Sequence, residues 1–161
     1  MWLIAIVVVI ASALSIVFYS RGGDWKVLLT IVGGAISLIY VIEKQQLDEA
    51  ILFKELFVEF NQRYDKLNEE LNRIRTEDTK QPLKPTDLNC LFDYFNLCGE
   101  EYLFYRKGYI YPEVWKSWVM GMKIFFSSER ICPIWTEELK SDSYYGLDVR
   151  KEIKVWCTTE T

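Results

Sequence analysis

The chain has 161 residues, of which 50% are hydrophobic and 16% aromatic, and its formal net charge is −4. This length excludes large multidomain machinery, and 25 aromatic side chains supply enough buried apolar surface to exclude a disordered chain. The charge gives no basic footprint for nucleic acid. The absence of histidine removes the commonest general base and metal ligand.

The first 42 residues are expected to form a transmembrane helical hairpin. Residues 2–19 and 25–42 are apolar runs of 18 residues, with Lys26 at the edge of the second. A helix of this length nearly crosses a hydrocarbon core of roughly 30 Å. The only other charges, Arg21 and Asp24, lie in the short loop between the runs, so the two helices would be antiparallel neighbours.

A cleaved signal peptide is the less favoured interpretation of the first run. Its small residues 11–13 resemble a cleavage site, but no basic region precedes the run and a second span follows at once.

Small residues on both runs favour close helix packing in lipid. They recur four residues apart at Ala11/Ser15, Thr30/Gly34 and Gly33/Ser37. The favoured interpretation is packing within the hairpin, and the alternative is contact between copies of the chain or a pore wall. Neither run holds a residue polar enough to line an ion path, which argues against a selective channel.

The side of the membrane is predicted from the cysteines, because the loop and the downstream flank carry similar numbers of basic residues. Four cysteines form neither a CxxC pair nor a dense disulfide framework: Cys90, Cys98, Cys132 and Cys157. We therefore expect buried, reduced thiols, both termini in the cytoplasm, and a multi-pass protein of the bacterial inner membrane. Two disulfides on the extracytoplasmic side are the alternative.

Residues 43–76 contain neither glycine nor proline and predict one long amphipathic helix that continues the second span. Apolar residues recur there at alternating spacings of three and four, as in a coiled coil: Ala50, Phe53, Phe57, Phe60, Tyr64, Leu67, Leu71 and Ile74. Self-association of this helix and packing against the chain's own C-terminal domain both produce such a seam. The bulky phenylalanines and the wide apolar face favour packing within the chain.

A polar linker with two prolines, residues 77–85, precedes an aromatic-rich helical bundle at residues 86–146. Thr86 and Asp87 are expected to cap its first helix, which would stop at Gly108.

Two further bundle helices are predicted from prolines suited to a first helical turn. One runs from Pro112 to Phe126, and the other begins at Pro133. For the tail, residues 147–161, a short strand and an ordered extension both remain open. The predicted fold class is therefore all-α, with a transmembrane hairpin, a long membrane-proximal helix and a small helical bundle.

Three stretches resemble a widespread set of small, uncharacterised bacterial proteins: LFKELFVEFNQRYDKLNEEL, LFDYFNLCGEEYLFYRKGYIYPEVWKSWVMGMKIFF and ELKSDSYYGLD. They are also distantly similar to bacterial membrane proteins with a domain of unknown function, N-terminal spans and a helical cytoplasmic part. The resemblance covers residues 52–148. It implies a bacterial origin and an all-helical fold, and it implies no particular activity.

Aromatic density marks the candidate binding surface, because 12 of the 39 residues from 88 to 126 are aromatic. The candidates cluster around the turn between two bundle helices: Tyr102, Tyr105, Arg106, Tyr109, Tyr111, Trp115 and Trp118. Tyrosine, tryptophan and arginine dominate interface hot spots, so this cluster predicts a surface for a protein partner. An aromatic core whose polar tips reach water is the alternative.

No catalytic residue, metal site or cofactor is expected. Asp93, Glu100 and Glu101 lie within two helical turns, but a carboxylate metal site in a bundle uses Glu-x-x-His pairs. A cysteine nucleophile would lack an imidazole partner, and no phosphate-binding glycine motif or GxSxG sequence occurs.

The sequence therefore predicts a membrane-anchored bacterial protein whose cytoplasmic helical domain binds a protein partner in a scaffolding, sensing or regulatory role. The expected partners are the lipid bilayer and an unidentified protein, with homo-oligomerisation as a further option and no nucleic acid. The alternative function is a two-span membrane effector that oligomerises and perturbs the bilayer.

Overall fold

The protein is all-helical in the computed structural model, which describes residues 2–22 and 24–152. No strand occurs within these ranges, so the all-α prediction is confirmed. The helices are α1 (Trp2–Ser20), α2 (Trp25–Thr76), α3 (Pro85–Arg106), α4 (Pro112–Phe126), α5 (Cys132–Glu138) and α6 (Val149–Glu152), with a 3₁₀ turn at Leu139–Ser141. The chain divides into two compact units, Met1–Leu52 and Phe53–Thr161.

The turn between α1 and α2 is built from residues suited to it. Gly22 has a φ of 74°, a left-handed conformation that glycine adopts at little steric cost. Asp24 accepts a hydrogen bond from the backbone N–H of Lys26 at 3.0 Å and so caps the start of α2.

The first unit leaves most of its apolar side chains exposed. Half-buried positions form one stripe on each helix: Ile4, Val7, Ala11, Ser15 and Phe18 on α1, and Leu28, Ile31, Ala35, Ile39 and Ile42 on α2. This pattern is expected of two helices that pack along one seam. No residue of α1 is fully buried, and both helices are long and apolar enough to cross a membrane.

Small residues on α2 lie outside this stripe. Gly33, Gly34 and Ser37 are exposed, and a Cβ atom added at either glycine would meet no atom within 4 Å. Packing within the hairpin, the favoured interpretation of these residues, is therefore wrong for α2. Ala11 and Ser15 on α1 do lie on the half-buried stripe.

The second unit takes the end of α2 into its core. Leu56, Phe60, Leu71 and Ile74 are buried, and Phe60 packs against the ring of Phe104 on α3 with 5.7 Å between ring centroids. The predicted continuous helix is present, and its apolar seam from Phe60 onward is used for packing within the chain.

The start of α3 differs from the sequence-based prediction. Lys84 is the N-cap residue and Pro85 begins the helix, because proline has no N–H to leave unsatisfied in the first turn. The expected caps, Thr86 and Asp87, lie inside the helix. Asp87 instead supplies the third-residue half of a capping box, since its carboxylate accepts the backbone N–H of Lys84 at 2.9 Å.

Asp87 is also the buried end of an ion-pair network. Its side chain is fully buried and lies 2.5 Å from the guanidinium of Arg73 on α2, which also pairs with Glu70 and Glu77. Burial opposes ionisation of Asp87, but the Lys84 N–H and the Arg73 guanidinium together outweigh it. The pKa of Asp87 is therefore lowered from its ordinary value of 3.8.

A second buried cation holds the connector between α2 and α3 in place. Arg130, in the turn between α4 and α5, is buried and lies 3.3 Å from the carboxylate of Glu77. Its guanidinium also donates to the backbone carbonyls of Asp78 and Gln81. The polar connector is thus ordered by charge pairing and by satisfied carbonyls.

α3 is the central helix of the second unit, because ten of its residues are buried and one stripe, which includes Asn89, Asp93 and Asn96, is exposed. The buried residues are Asp87, Cys90, Leu91, Tyr94, Phe95, Leu97, Cys98, Gly99, Glu101 and Tyr102. Tyr94 contacts the rings of Tyr64 on α2 and Phe125 on α4. Phe95 contacts Trp135 on α5, with 4.8 Å between ring centroids.

The predicted end of α3 and the predicted bounds of α4 are confirmed. α3 ends at Arg106, Gly108 follows with a φ of 81°, and α4 runs from Pro112 to Phe126. α5 begins one residue before the expected Pro133.

The chain after α5 returns to α3. Tyr144 and Leu147 are buried, and a Cβ atom on Gly99 would lie 3.4 Å from the Tyr144 side chain, so glycine permits this close approach. The Tyr102 hydroxyl donates to the Glu152 carboxylate at 3.0 Å. Within the predicted tail, residues 147–148 are not helical and Val149–Glu152 form α6. Its remainder, residues 153–161, lies outside the described residues.

Replacing Asp87 with asparagine is expected to destabilise the second unit by about 2–4 kcal/mol, because an amide would face the Arg73 guanidinium within the buried network. Hydrogen exchange of α3 backbone amides, measured on the full chain in detergent micelles, would report the loss. Asp93→Asn is the matched control, since Asp93 is exposed on the same helix.

The same comparison has a pH dependence with a defined sign. Because the pKa of Asp87 is lowered in the folded chain, its contribution is complete above 3.8 and disappears as the pH falls below that value. The variant's deficit should therefore shrink in acid. A deficit that is equal at pH 7 and pH 2 would contradict this account.

Candidate functional site

The structure divides the sequence-predicted aromatic surface into two ring clusters. Tyr102, Tyr105 and Trp115 form one. Tyr109, Tyr111 and Trp118 belong to the other, together with rings from α2 and α3. The seven predicted residues therefore do not form one continuous surface.

The first cluster is largely core. Tyr102 is 8% exposed and Trp115 is 6% exposed. Trp115 stacks on Tyr105 with 5.1 Å between ring centroids. The Arg106 guanidinium lies over the Tyr102 ring, 5.7 Å from its centroid, and Arg106 is the exposed member. Tyr102 and Trp115 hold α4 against α3 and offer almost no surface to a partner.

The second cluster contains exposed rings. Tyr111 is 45% exposed and packs on Phe53 with 4.3 Å between ring centroids. Phe53 contacts Phe57, and Phe57 stacks on Trp118 at 6.0 Å. We call these four residues, Phe53, Phe57, Tyr111 and Trp118, the aromatic ridge.

Tyr109 is the other exposed ring of the predicted set. It is 46% exposed and contacts Phe104, whose ring packs on Phe60. Sequence reasoning assigned Phe53 and Phe57 to a coiled-coil seam, and the structure places them beside α4 residues instead. A heptad pattern predicts only which residues share a helix face. It could not predict that Phe53 and Phe57 remain partly exposed.

A cavity of about 140 Å³ lies between α2, α3 and α4 in the second unit. Aromatic, small and polar side chains line it: Asn61, Tyr64, Tyr94, Glu101, Ser117, Trp118, Gly121 and Met122. Tyr94, Glu101 and Met122 are buried, whereas Ser117 is exposed. The cavity therefore has a deep end with an acid and an outer end beside α4.

Glu101 is the unusual residue of this cavity. It is 6% exposed, and no hydrogen bond or ion pair to its carboxyl group is present among the residues that the structure describes. Burial raises the pKa of Glu101 to about 8, although the Arg63 charge opposes the shift. Arg63 itself is held by Glu100, through two hydrogen bonds of 2.5 and 3.0 Å.

The other cavity side chains that titrate are neutral at physiological pH. Burial raises the pKa of Tyr64 and, much further, the pKa of Tyr94. Glu101 is thus the acid that sets the charge of the cavity. In the sequence Glu101 is one of three acids on the predicted helix, and adjacent glutamates carry no signal of which one is buried.

The cysteines do not all match the sequence-based expectation. Cys90 and Cys98 are buried free thiols, and burial raises the pKa of Cys90 to about 11 and that of Cys98 well above its ordinary value. Both are therefore poor nucleophiles. Cys132, however, is disulfide-bonded, so the expected reduced thiol is wrong at this position. Cys157 lies outside the described residues.

Potential metal ligands are not grouped in the part of the chain that the structure describes, where no cluster of three or more His, Cys, Asp or Glu side chains is found. Comparisons with protein-family models, curated proteins and solved structures give no match to this chain.

Trp115→Ala is expected to destabilise the second unit by about 3–5 kcal/mol, because it leaves a large cavity in the core. Tyr109→Ala, at an exposed position of the same loop region, should change stability by less than about 0.5 kcal/mol. Hydrogen exchange of α3 amides in the full chain measures both. If the two variants lost similar stability, the division into a buried cluster and an exposed one would be wrong.

Proposed function

We propose that this protein is a two-span bacterial inner-membrane protein whose second unit binds a protein partner, in a scaffolding, sensing or regulatory role. The aromatic ridge is the observation that carries this proposal. Aromatic side chains contribute much of the binding energy at protein interfaces, and a solvent-exposed group of them is unusual on a monomer.

The ridge is pre-organised for binding. Each of its rings already contacts another ring, which limits the rotamer freedom that would be lost on docking. Part of each ring remains available to a partner, and Tyr111 and Tyr109 add hydroxyl groups beside the apolar surface. A partner with an apolar patch and a few polar groups at its rim fits this chemistry.

The side of the membrane is proposed from the disulfide. Two spans leave both termini on one side, and disulfides persist in oxidising compartments. The cytoplasmic side was expected because all four cysteines were expected to be reduced. Since Cys132 is disulfide-bonded, we favour the extracytoplasmic side for the second unit. This revises the sequence-based expectation of a cytoplasmic domain.

Photo-crosslinking tests the docking surface. With p-benzoylphenylalanine in place of Tyr111, the full chain should crosslink to one protein in the native host. The same residue in place of Tyr145 is the matched control, because Tyr145 is 51% exposed in the same unit and lies outside the predicted surface. Equal crosslinking at both positions, or none at position 111, would contradict the proposal.

Protease treatment of spheroplasts tests the proposed side. The second unit should be digested by added protease while a cytoplasmic marker protein stays intact. Protection of the second unit until the membrane is permeabilised would assign it to the cytoplasm, and the disulfide argument would then fail.

A second candidate function is an oligomerising two-span effector that perturbs the bilayer. The observation in its favour is that Gly33, Gly34 and Ser37 are exposed on α2, where they would let another helix approach closely in lipid. Under this alternative, expression of the protein should make membranes leak dye. The leakage should not require the partner protein that the crosslinking experiment seeks.

A further inference from the structure

The cavity around Glu101 shares Trp118 with the aromatic ridge, and its other lining residues lie outside that surface. Its volume of about 140 Å³ is close to that of a roughly 150 Å³ protein cavity that holds a benzene-sized molecule. Its wall includes Gly121, in the interior of α4, where glycine costs about 0.5–1 kcal/mol relative to alanine. A Cβ atom at Gly121 would meet nothing within 4 Å, so packing does not require glycine there.

The acid at the deep end of the cavity has no partner. Buried carboxyl groups are normally hydrogen-bonded or paired, yet Glu101 has no such contact among the described residues. The nearest cation, Arg63, donates both of its hydrogen bonds to Glu100. Arg63 also lies 3.8 Å from the Glu59 carboxylate, so Arg63, Glu59 and Glu100 together carry one negative charge, and ionised Glu101 adds a second.

We propose that the cavity binds a small alkylammonium ion, with the positive charge against the Glu101 carboxylate and the alkyl groups against the aromatic wall. Tyr64, Tyr94 and Trp118 supply that wall. Aromatic rings attract organic cations through their quadrupoles, and the attraction is strongest where water is excluded. An anion would meet the carboxylate, and a neutral apolar molecule would leave it unpaired.

Proton release accompanies binding. Two elements present titratable or charged groups near Glu101, and the α4 lining has none. The groups are Glu59, Arg63 and Tyr64 on α2, and Tyr94, Cys98 and Glu100 on α3. Because the pKa of Glu101 is about 8 in the empty chain, most of this group is protonated at pH 7. A bound cation favours the carboxylate, so affinity should rise about tenfold from pH 6 to pH 7 and level off above pH 8.

The same ammonium chemistry has two sources, a free organic cation or a lysine side chain of a partner. The proposal does not depend on partner binding at the aromatic ridge. It therefore stands or falls separately from the proposed function, since small probes require no partner protein.

Calorimetric titration of the full chain in detergent micelles tests the site. Choline is the cationic probe, and 3,3-dimethyl-1-butanol is its uncharged carbon analogue of the same shape. Choline should bind with release of up to one proton below pH 8, and the alcohol should bind at least tenfold more weakly. Nα-acetyl-lysine amide is the third probe, and tighter binding of it than of choline would assign the site to a lysine side chain.

Three variants connect binding to the cavity. Glu101→Gln should weaken choline binding at least tenfold and abolish the proton release. Gly121→Leu should abolish binding because the new side chain occupies the cavity. Glu113→Gln is the matched control for charge, since Glu113 is exposed at the start of α4, and it should leave affinity unchanged.

Several results would overturn the proposal. They are an absence of choline binding to the parent chain, equal binding of the alcohol, or full affinity in Glu101→Gln. If Glu101→Gln or Gly121→Leu does not fold, the pH series on the parent chain decides, because binding without proton release at pH 6–7 excludes Glu101 as the counter-ion.

Discussion

One uninterrupted helix, α2, carries two different kinds of surface along its length. Its first turns are apolar on every side and leave nearly all of that surface exposed, which is stable in lipid and unstable in water. From Leu56 onward the same helix is amphipathic, and its buried residues complete the core of the second unit. The remaining features depend on this change of surface along α2. The candidate membrane span, the ridge residues Phe53 and Phe57, and one wall of the Glu101 cavity all lie on this helix.

The second unit contains two features that a maximally stable bundle would not have. A cavity with an unpaired acid loses packing and hydration at the same time, and a group of half-exposed rings leaves apolar surface in water. Asp87 and Arg130, by contrast, are buried with ionic or hydrogen-bonded partners, although Arg130 Nε and Trp135 Nε1 are buried without one. Features that reduce stability in an otherwise well-packed domain are typical of functional sites. The ridge and the cavity therefore carry the two proposals.

The sequence predicted those features of the fold that depend on residues close together in the chain. The apolar runs predicted both long helices, and glycine and proline predicted the end of α3 and the bounds of α4. The sequence could not predict features that depend on contacts between residues far apart in the chain. The burial of Asp87 is stabilised by Arg73, which reaches it from another helix. Glu100 and Glu101 are neighbours of the same type, yet one pairs with Arg63 and the other is buried without a partner. The aromatic cluster was likewise divided by packing, which no spacing rule encodes.

The central claim is that α2 passes from lipid into an aqueous, protein-packed environment along a single helix. Electron paramagnetic resonance of spin labels, introduced as non-canonical amino acids along α2 of the full chain in lipid vesicles, measures this directly. Labels at exposed positions from Leu29 to Leu38 should be accessible to oxygen and shielded from a water-soluble nickel relaxant, and labels at Gln62 and Lys66 should show the reverse. Similar access to the nickel relaxant at all of these positions would contradict the account.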